Sequence, residues 1–189
     1  MILGLDISTS ITGWALVELD GTFVDMGYIP LAKEKTLFSK ARVTKEHISK
    51  LTMQYHITHI AIERNLQKFR RGLSSAAVIE KLAKFNGVIS YVVEEMTDLV
   101  PYHLDVNASR KSLGIKVLGK KHSTLTTKEQ VFNYVSLYLS QDNFVWPTKK
   151  LKSGKRKGVI VNEPACFDMA DAWVIAKAHH VALLNTVHV

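Results

Sequence analysis

The chain has 189 residues, 47% of them hydrophobic and 22% charged, which is enough for one domain (1–189) with a sizeable core. A single cysteine, Cys166, excludes an intrachain disulfide and fits a reducing, cytoplasmic setting. Lys+Arg 25 against Asp+Glu 17 leaves a net charge of +8, which points to a polyanionic partner, nucleic acid first.

The opening "MILGLDISTSITGWALV" reads as two strands, 2–8 and 12–19, joined by the small turn Ser8–Thr9–Ser10. Asp20–Gly21 supplies a hairpin turn into a third strand near 22–29, where Phe23, Met26 and Tyr28 hold the apolar positions. From Thr36 to Tyr55, Phe38, Ala41, Ile48, Leu51 and Met53 recur at roughly helical spacing among lysines. "ITHIAI" (57–62) is a short apolar strand ending at Glu63, followed by the basic connector "RNLQKFRRG". Val78, Leu82, Phe85, Ile89 and Val92 then mark one long helix through Gly87. A strand over 99–106 precedes two helices with N-cap candidates Asn107 and Thr126. A basic loop around 141–163 leads to Pro164 and a final helix to about Leu184.

Three antiparallel strands followed by strands alternating with helices predict an α/β fold, a mixed five-stranded sheet flanked by helices. No repeat or Pro/Gly-rich linker divides the chain. No apolar run reaches the roughly 18 residues of a membrane span, and the N-terminus lacks a basic region followed by a hydrophobic stretch. No membrane partner is expected.

Asp6 is out of place in an apolar strand, because a buried carboxylate is costly unless paired, hydrogen-bonded or bound to a metal. Glu63 ends another apolar strand, and Asp168 and Asp171 stand three apart on the last helix, whose shared face is otherwise small or apolar. Any one of these acids alone has an ordinary explanation. Four that each interrupt an apolar segment call for a cation, and oxygen ligands of this hardness suit Mg2+ or Mn2+ rather than zinc. Two such ions about 3.5–4 Å apart would hold a phosphodiester and activate water.

These stretches resemble the RuvC family of Holliday junction resolvases. "GLDISTSITGWALV" is similar to its first strand and hairpin, "IAIERN" to the strand ending in its second acid, and "DMADAWVIAKAHH" to its diacidic final helix. "VPYHLDVNASRKSLGIK" and "TTKEQVFNYV" resemble the segments between them, so the likeness runs in order along nearly the whole chain. It implies a ribonuclease H-like fold, a homodimer, and Mg2+-dependent paired nicking of four-way DNA junctions with two ions per site, Mn2+ substituting. It maps the catalytic, metal-binding acids onto Asp6, Glu63, Asp168 and Asp171, and active-site lysines onto Lys111 and Lys128. The alternative is a ribonuclease H-like nuclease acting on flaps, branched DNA or RNA–DNA hybrids, which the same four acids would serve. A cytoplasmic location is expected, host cytoplasm for a viral protein, with a mitochondrial one left open.

For DNA contact the sequence offers Lys149, Lys150, Lys152, Lys155, Arg156 and Lys157 in one short stretch, and Leu66, Lys68, Phe69, Arg70 and Arg71 just after Glu63. Phe69 lies among basic neighbours, as expected of a side chain that stacks on unpaired bases. The resemblance places a junction-probing apolar residue on Leu66. His56, His59, His179 and His180 are left out of the site, Cys166 is read as a small core residue, and Trp14, Trp146 and Trp173 as packing residues. A sugar-kinase or actin-like ATPase would need two domains and further Gly-rich phosphate loops. A DNA-binding protein without catalysis would gain nothing from four acids facing a polyanion.

Overall fold

The computed structural model describes residues 1–64, 75–142 and 144–186. In chain order the elements are β1 (Ile2–Asp6), β2 (Ile11–Val17), β3 (Phe23–Pro30), α1 (Leu37–Gln54), β4 (His59–Glu63), α2 (Ala76–Thr97) and β5 (Tyr102–Leu104). They continue with α3 (Val106–Ser112), α4 (Thr127–Tyr138), a 3-10 turn (Leu139–Asp142), β6 (Thr148–Lys150), β7 (Ile160–Asn162) and α5 (Ala165–Thr186). The main sheet has the order β3-β2-β1-β4-β5. β1–β2 and β2–β3 pair antiparallel, while β1–β4 and β4–β5 pair parallel. The expected mixed five-stranded sheet is present.

Strand alternation decides which side chains meet which helix. Leu3 and Leu5 of β1, Trp14 and Leu16 of β2, and Ile60 and Ile62 of β4 pack with Ala41, Ile48 and Leu51 of α1 and Phe85, Ile89 and Val93 of α2. The other parity, with Ile2, Ala15 and Val17, faces α5 and α4 through Met169, Trp173, Val131 and Val135. Gly4 and Asp6 share parity with Ile2, and Glu63 shares that of Ala61. The two strand-borne acids therefore lie on the α5 face of the sheet.

α5 is buried nearly all round from Met169 to His180, as a helix wedged between a sheet and neighbouring helices must be. It sits unusually close. A Cβ on Gly4 would lie 2.7 Å from Ala176 N and 2.8 Å from Ala176 Cβ, and would strike the Ala172 carbonyl. One on Gly13 would strike the Asp168 carbonyl. Just past this contact Lys177 Nζ, buried, donates to the Gly21 carbonyl (2.6 Å) and the Tyr138 hydroxyl (3.3 Å). Its ammonium also lies over the Tyr138 and Trp173 rings at 5.3 and 5.9 Å.

Several expectations are corrected. β1 stops at Asp6 rather than residue 8, because the Ser8 hydroxyl accepts from Ile11 N (3.1 Å) and closes the turn early. The strand expected over 99–106 shrinks to Tyr102–Leu104: Pro101 has no ladder donor, and Asp105 already caps α3. That cap displaces Asn107, whose own N–H donates to Asp105 Oδ1 at 2.9 Å. Phe38 (73%) and Met53 (84%), counted among the apolar positions of an amphipathic helix, are exposed, since α1 touches the sheet along only part of its circumference. The basic loop contains a hairpin, β6 paired with β7 from Thr148↔Asn162 to Lys150↔Ile160. Thr126 does cap α4, in a box with Glu129, and α2 runs unbroken through Gly87. Among the described residues no helix is long and apolar enough to cross a membrane.

The helix–sheet contact gives a stability test. Gly4→Ala forces a methyl into backbone that cannot retreat, and overpacking of this kind costs about 1–3 kcal/mol. The variant should melt several degrees below the wild type in a thermal unfolding scan. An unchanged melting temperature would mean that α5 does not approach β1 this closely.

Candidate active site

The register brings the acids together. Asp6 ends β1 opposite Gly13, and the β1–β4 ladder sets Leu5 against Ile62, so Glu63 ends the adjacent strand on the same side. Because Gly13 admits the Asp168 backbone, the first turns of α5 reach this sheet end and carry Asp168 and Asp171 with them. Asn86 of α2, buried, donates from Nδ2 to the Glu63 carbonyl at 3.0 Å and fixes the end of β4. Arg64 does the same from the other side, its backbone N–H bonding the Leu104 carbonyl and its guanidinium the His103 carbonyl.

Electrostatics show how tightly the acids are grouped. Burial, then the charges of Glu63, Asp171 and Asp168, raise the Asp6 carboxyl well above the usual range, with Lys128 opposing. Asp6 keeps a little surface open to solvent while the protein closes round it elsewhere. Burial and Asp171 push Glu63 up to about 7, against Arg110, a hydrogen bond shared with Asp6, and Lys128. Asp168 is also raised, by burial first, with Lys128 pulling it down. The two helix acids each have a cation. Arg110 Nη2 of α3 lies 3.0 Å from Asp171 Oδ1, with 14% and 7% of the two side chains exposed. Lys128 Nζ of α4 lies 3.1 Å from Asp168 Oδ1. Burial works against the Lys128 charge, but Asp168, Asp6 and Asp171 together outweigh it and hold the ammonium above the ordinary lysine range.

The four sequence-derived acids thus lie at one sheet end within electrostatic reach of one another, with Lys128 beside them. Lys111 does not join it: it is exposed, and Arg110 takes the place beside Asp171. The reason is helical phase. Ser109 is the buried residue of α3, Arg110 stands 100° round from it and Lys111 200°. Asn86 and Arg110 were missed by sequence reasoning. The Asp105 cap, which sets the phase of α3, was the signal available for Arg110.

Leu66, Lys68, Phe69, Arg70 and Arg71 lie outside the described residues. Lys149 is half-buried and pairs with Glu163 at 3.6 Å, while Lys150, Lys152, Lys155, Arg156 and Lys157 stand exposed around the β6–β7 hairpin. His179 stacks on Tyr102 (4.5 Å) and His59 (5.6 Å), away from the acids.

The donor set fits a hard divalent cation: carboxylate oxygens, partly dehydrated and mutually repelling, gain most from a compact positive charge. As the side chains stand, Arg110 and Lys128 hold two of the four, and among the described residues no three acidic, histidine or cysteine side chains converge as a ready ligand group.

A mixed sheet of this order, with acids at the ends of its first and fourth strands and on the closing helix, is the ribonuclease H-like fold. The solved structures similar to it narrow this to the RuvC-like form. RuvC of T. thermophilus in complex with a Holliday junction substrate matches with a TM-score of 0.62 at 12% identity, over 97% of this chain and 94% of that one. Thermus thermophilus RuvC matches at 0.61 and 15% identity (98% and 96% covered). The yeast mitochondrial Holliday junction resolvase Ydc2 matches at 0.54 and 15% identity (99% and 80% covered). No protein-family model and no curated protein sequence matches the chain.

The raised Glu63 carboxyl makes metal-free stability depend on pH. An unfolded glutamic acid ionises near 4.5 and the folded one near 7. Between those values the unfolded chain gives up its proton first, so folding weakens as pH rises and the penalty is complete above 7. In chelator, Glu63→Gln should raise the melting temperature at pH 8 but scarcely at pH 5. Equal effects at both pH values would mean that the Glu63 carboxyl is not raised.

Proposed function

We propose that this chain is a structure-selective DNA endonuclease that resolves four-way junctions by metal-dependent phosphodiester hydrolysis, working as a homodimer whose two sites place paired, symmetric nicks. The observation that carries this reading is the convergence of Asp6, Glu63, Asp168 and Asp171 at one sheet end, on a fold whose solved likenesses include a RuvC bound to a Holliday junction. Mg2+ is the expected ion, with Mn2+ able to substitute, and a pair of ions would supply Lewis-acid charge and an activated water for in-line attack.

The chain's own residues do the rest. Asp6 and Glu63 would hold a divalent ion from the strand ends, and Asp168 and Asp171 would complete the site from α5. Burial and the neighbouring acids raise both the Asp6 and Glu63 carboxyls, so a divalent cation would bind there in competition with protons. Arg110 and Lys128, paired with Asp171 and Asp168, would bring positive charge to a phosphate bound beside these acids. Exposed cations around the β6–β7 hairpin, one short step in sequence from α5, would cover the phosphates of an arm.

Asp6→Asn or Asp171→Asn should abolish cleavage in Mg2+ while junction binding survives, since a metal ligand is lost together with a negative charge facing DNA. Four-way junction, nicked flap and RNA–DNA hybrid should be assayed side by side, with the junction cut fastest. Near wild-type cleavage by Asp6→Asn would overturn the metal-site reading, and preference for the flap or hybrid would overturn the substrate.

The hairpin has its own test. Each phosphate contact contributes about −0.9 to the slope of log affinity against log salt. Replacing Lys150, Lys152, Lys155, Arg156 and Lys157 by glutamine should weaken binding to all DNA shapes alike and flatten that slope. An unchanged slope would mean that these cations only face solvent.

A further inference from the structure

Among the described residues the Arg110 guanidinium makes one hydrogen bond. Its Nη2 bonds Asp171 Oδ1, while its Nε is buried with no partner among the described residues. A guanidinium serving only to neutralise a carboxylate would normally grip it with two parallel N–H bonds. Here one buried donor stays idle, and an unpaired buried donor is a standing cost. An anion with several acceptor oxygens that reorients the guanidinium as it binds would satisfy it. Lys128 is in a related position, bound to Asp168 but with much of its side chain exposed.

We propose that Arg110, assisted by Lys128, is an exchange partner that couples DNA binding to metal binding, an inference that rests on the endonuclease reading above. In the free protein the two cations neutralise Asp171 and Asp168 and keep both carboxylates from ligating an ion. A phosphodiester entering the site takes over the guanidinium and the ammonium, presenting the multiple oxygens that Arg110 can grip in its fork. The two carboxylates are thereby released to a divalent cation. Metal and DNA then bind cooperatively, and each strengthens the other by the same factor. The arrangement keeps the complete metal centre for the moment when substrate is present.

Calorimetric titration of the free protein with Mn2+ tests the first half. Arg110→Gln removes the competitor for Asp171 and should bind Mn2+ about tenfold more tightly than wild type. Arg110→Lys, which keeps the charge, should stay near wild type. The second half is read from junction affinity by fluorescence anisotropy in chelator and in Ca2+. Wild type should gain several-fold from the ion, and Arg110→Gln should lose most of that gain. If Arg110→Gln melts at lower temperature, the rise in melting temperature on adding Mn2+ serves instead, and it should exceed that of wild type. Equal Mn2+ affinity, or an equal or smaller thermal rise, in Arg110→Gln would overturn the exchange, provided Asp6→Asn still abolishes Mn2+ binding. If Asp6→Asn binds Mn2+ like wild type, the metal centre itself is wrong, and the exchange falls with it.

Discussion

The close seating of α5 on β1 and β2 is the constraint on which the site depends. A helix spaced by ordinary side chains would hold Asp168 and Asp171 away from Asp6 and Glu63. Glycines at 4 and 13 remove that spacing, and the alanines facing Gly4 accept it. Bringing four acids together has an electrostatic cost. Two unit charges 4 Å apart repel by about 4 kcal/mol at an effective dielectric of 20. The protein meets this in two ways. Asp6 and Glu63 hold on to protons to higher pH than free carboxyls do, and Asp171 and Asp168 borrow Arg110 and Lys128 from α3 and α4. The same crowding that makes the empty cluster costly makes it receptive to a compact cation.

Much of this was legible in the residues. Alternation in "ILGLD" and "HIAIE" puts both acids on one face of the sheet, and i, i+3 spacing puts two more on one helix face. These periodicities survive any change of neighbours, which is why they could be read without coordinates. Arg110 could not, because α3 is seven residues long and its phase hangs on one cap. Asn107 and Asp105 are both good caps, and only the chain's path after β5 chooses between them. Phe38 and Met53 misled for a related reason: helical spacing identifies a stripe, but not how far along the helix the sheet extends. The β6–β7 hairpin was hidden because its strands are three residues long, Thr-Lys-Lys and Ile-Val-Asn, too short to show a period-2 pattern.

The likeness to RuvC and Ydc2 at 12–15% identity, with no matching sequence family, fits the same division. A fold needs apolar residues of about the right size in the right pattern, which many sequences supply. A site needs particular groups at particular ends of strands, and function resides there rather than in the scaffold. Sequence comparison averages over both, so a few retained acids disappear among replaced core residues.

Lys177 has a consequence for the mechanics of α5. The helix is gripped at its first turn by Gly13, in its middle by Gly4, and just beyond that by the Lys177 ammonium bonded to the Gly21 carbonyl. Three attachments along one rod leave it no freedom to slide or roll against the strands. The helix works as a gauge block, setting the depth at which its two acids meet the sheet. What adjustment the site makes on loading must therefore come from side chains and from the shorter helices α3 and α4, with the sheet and α5 serving as the fixed reference.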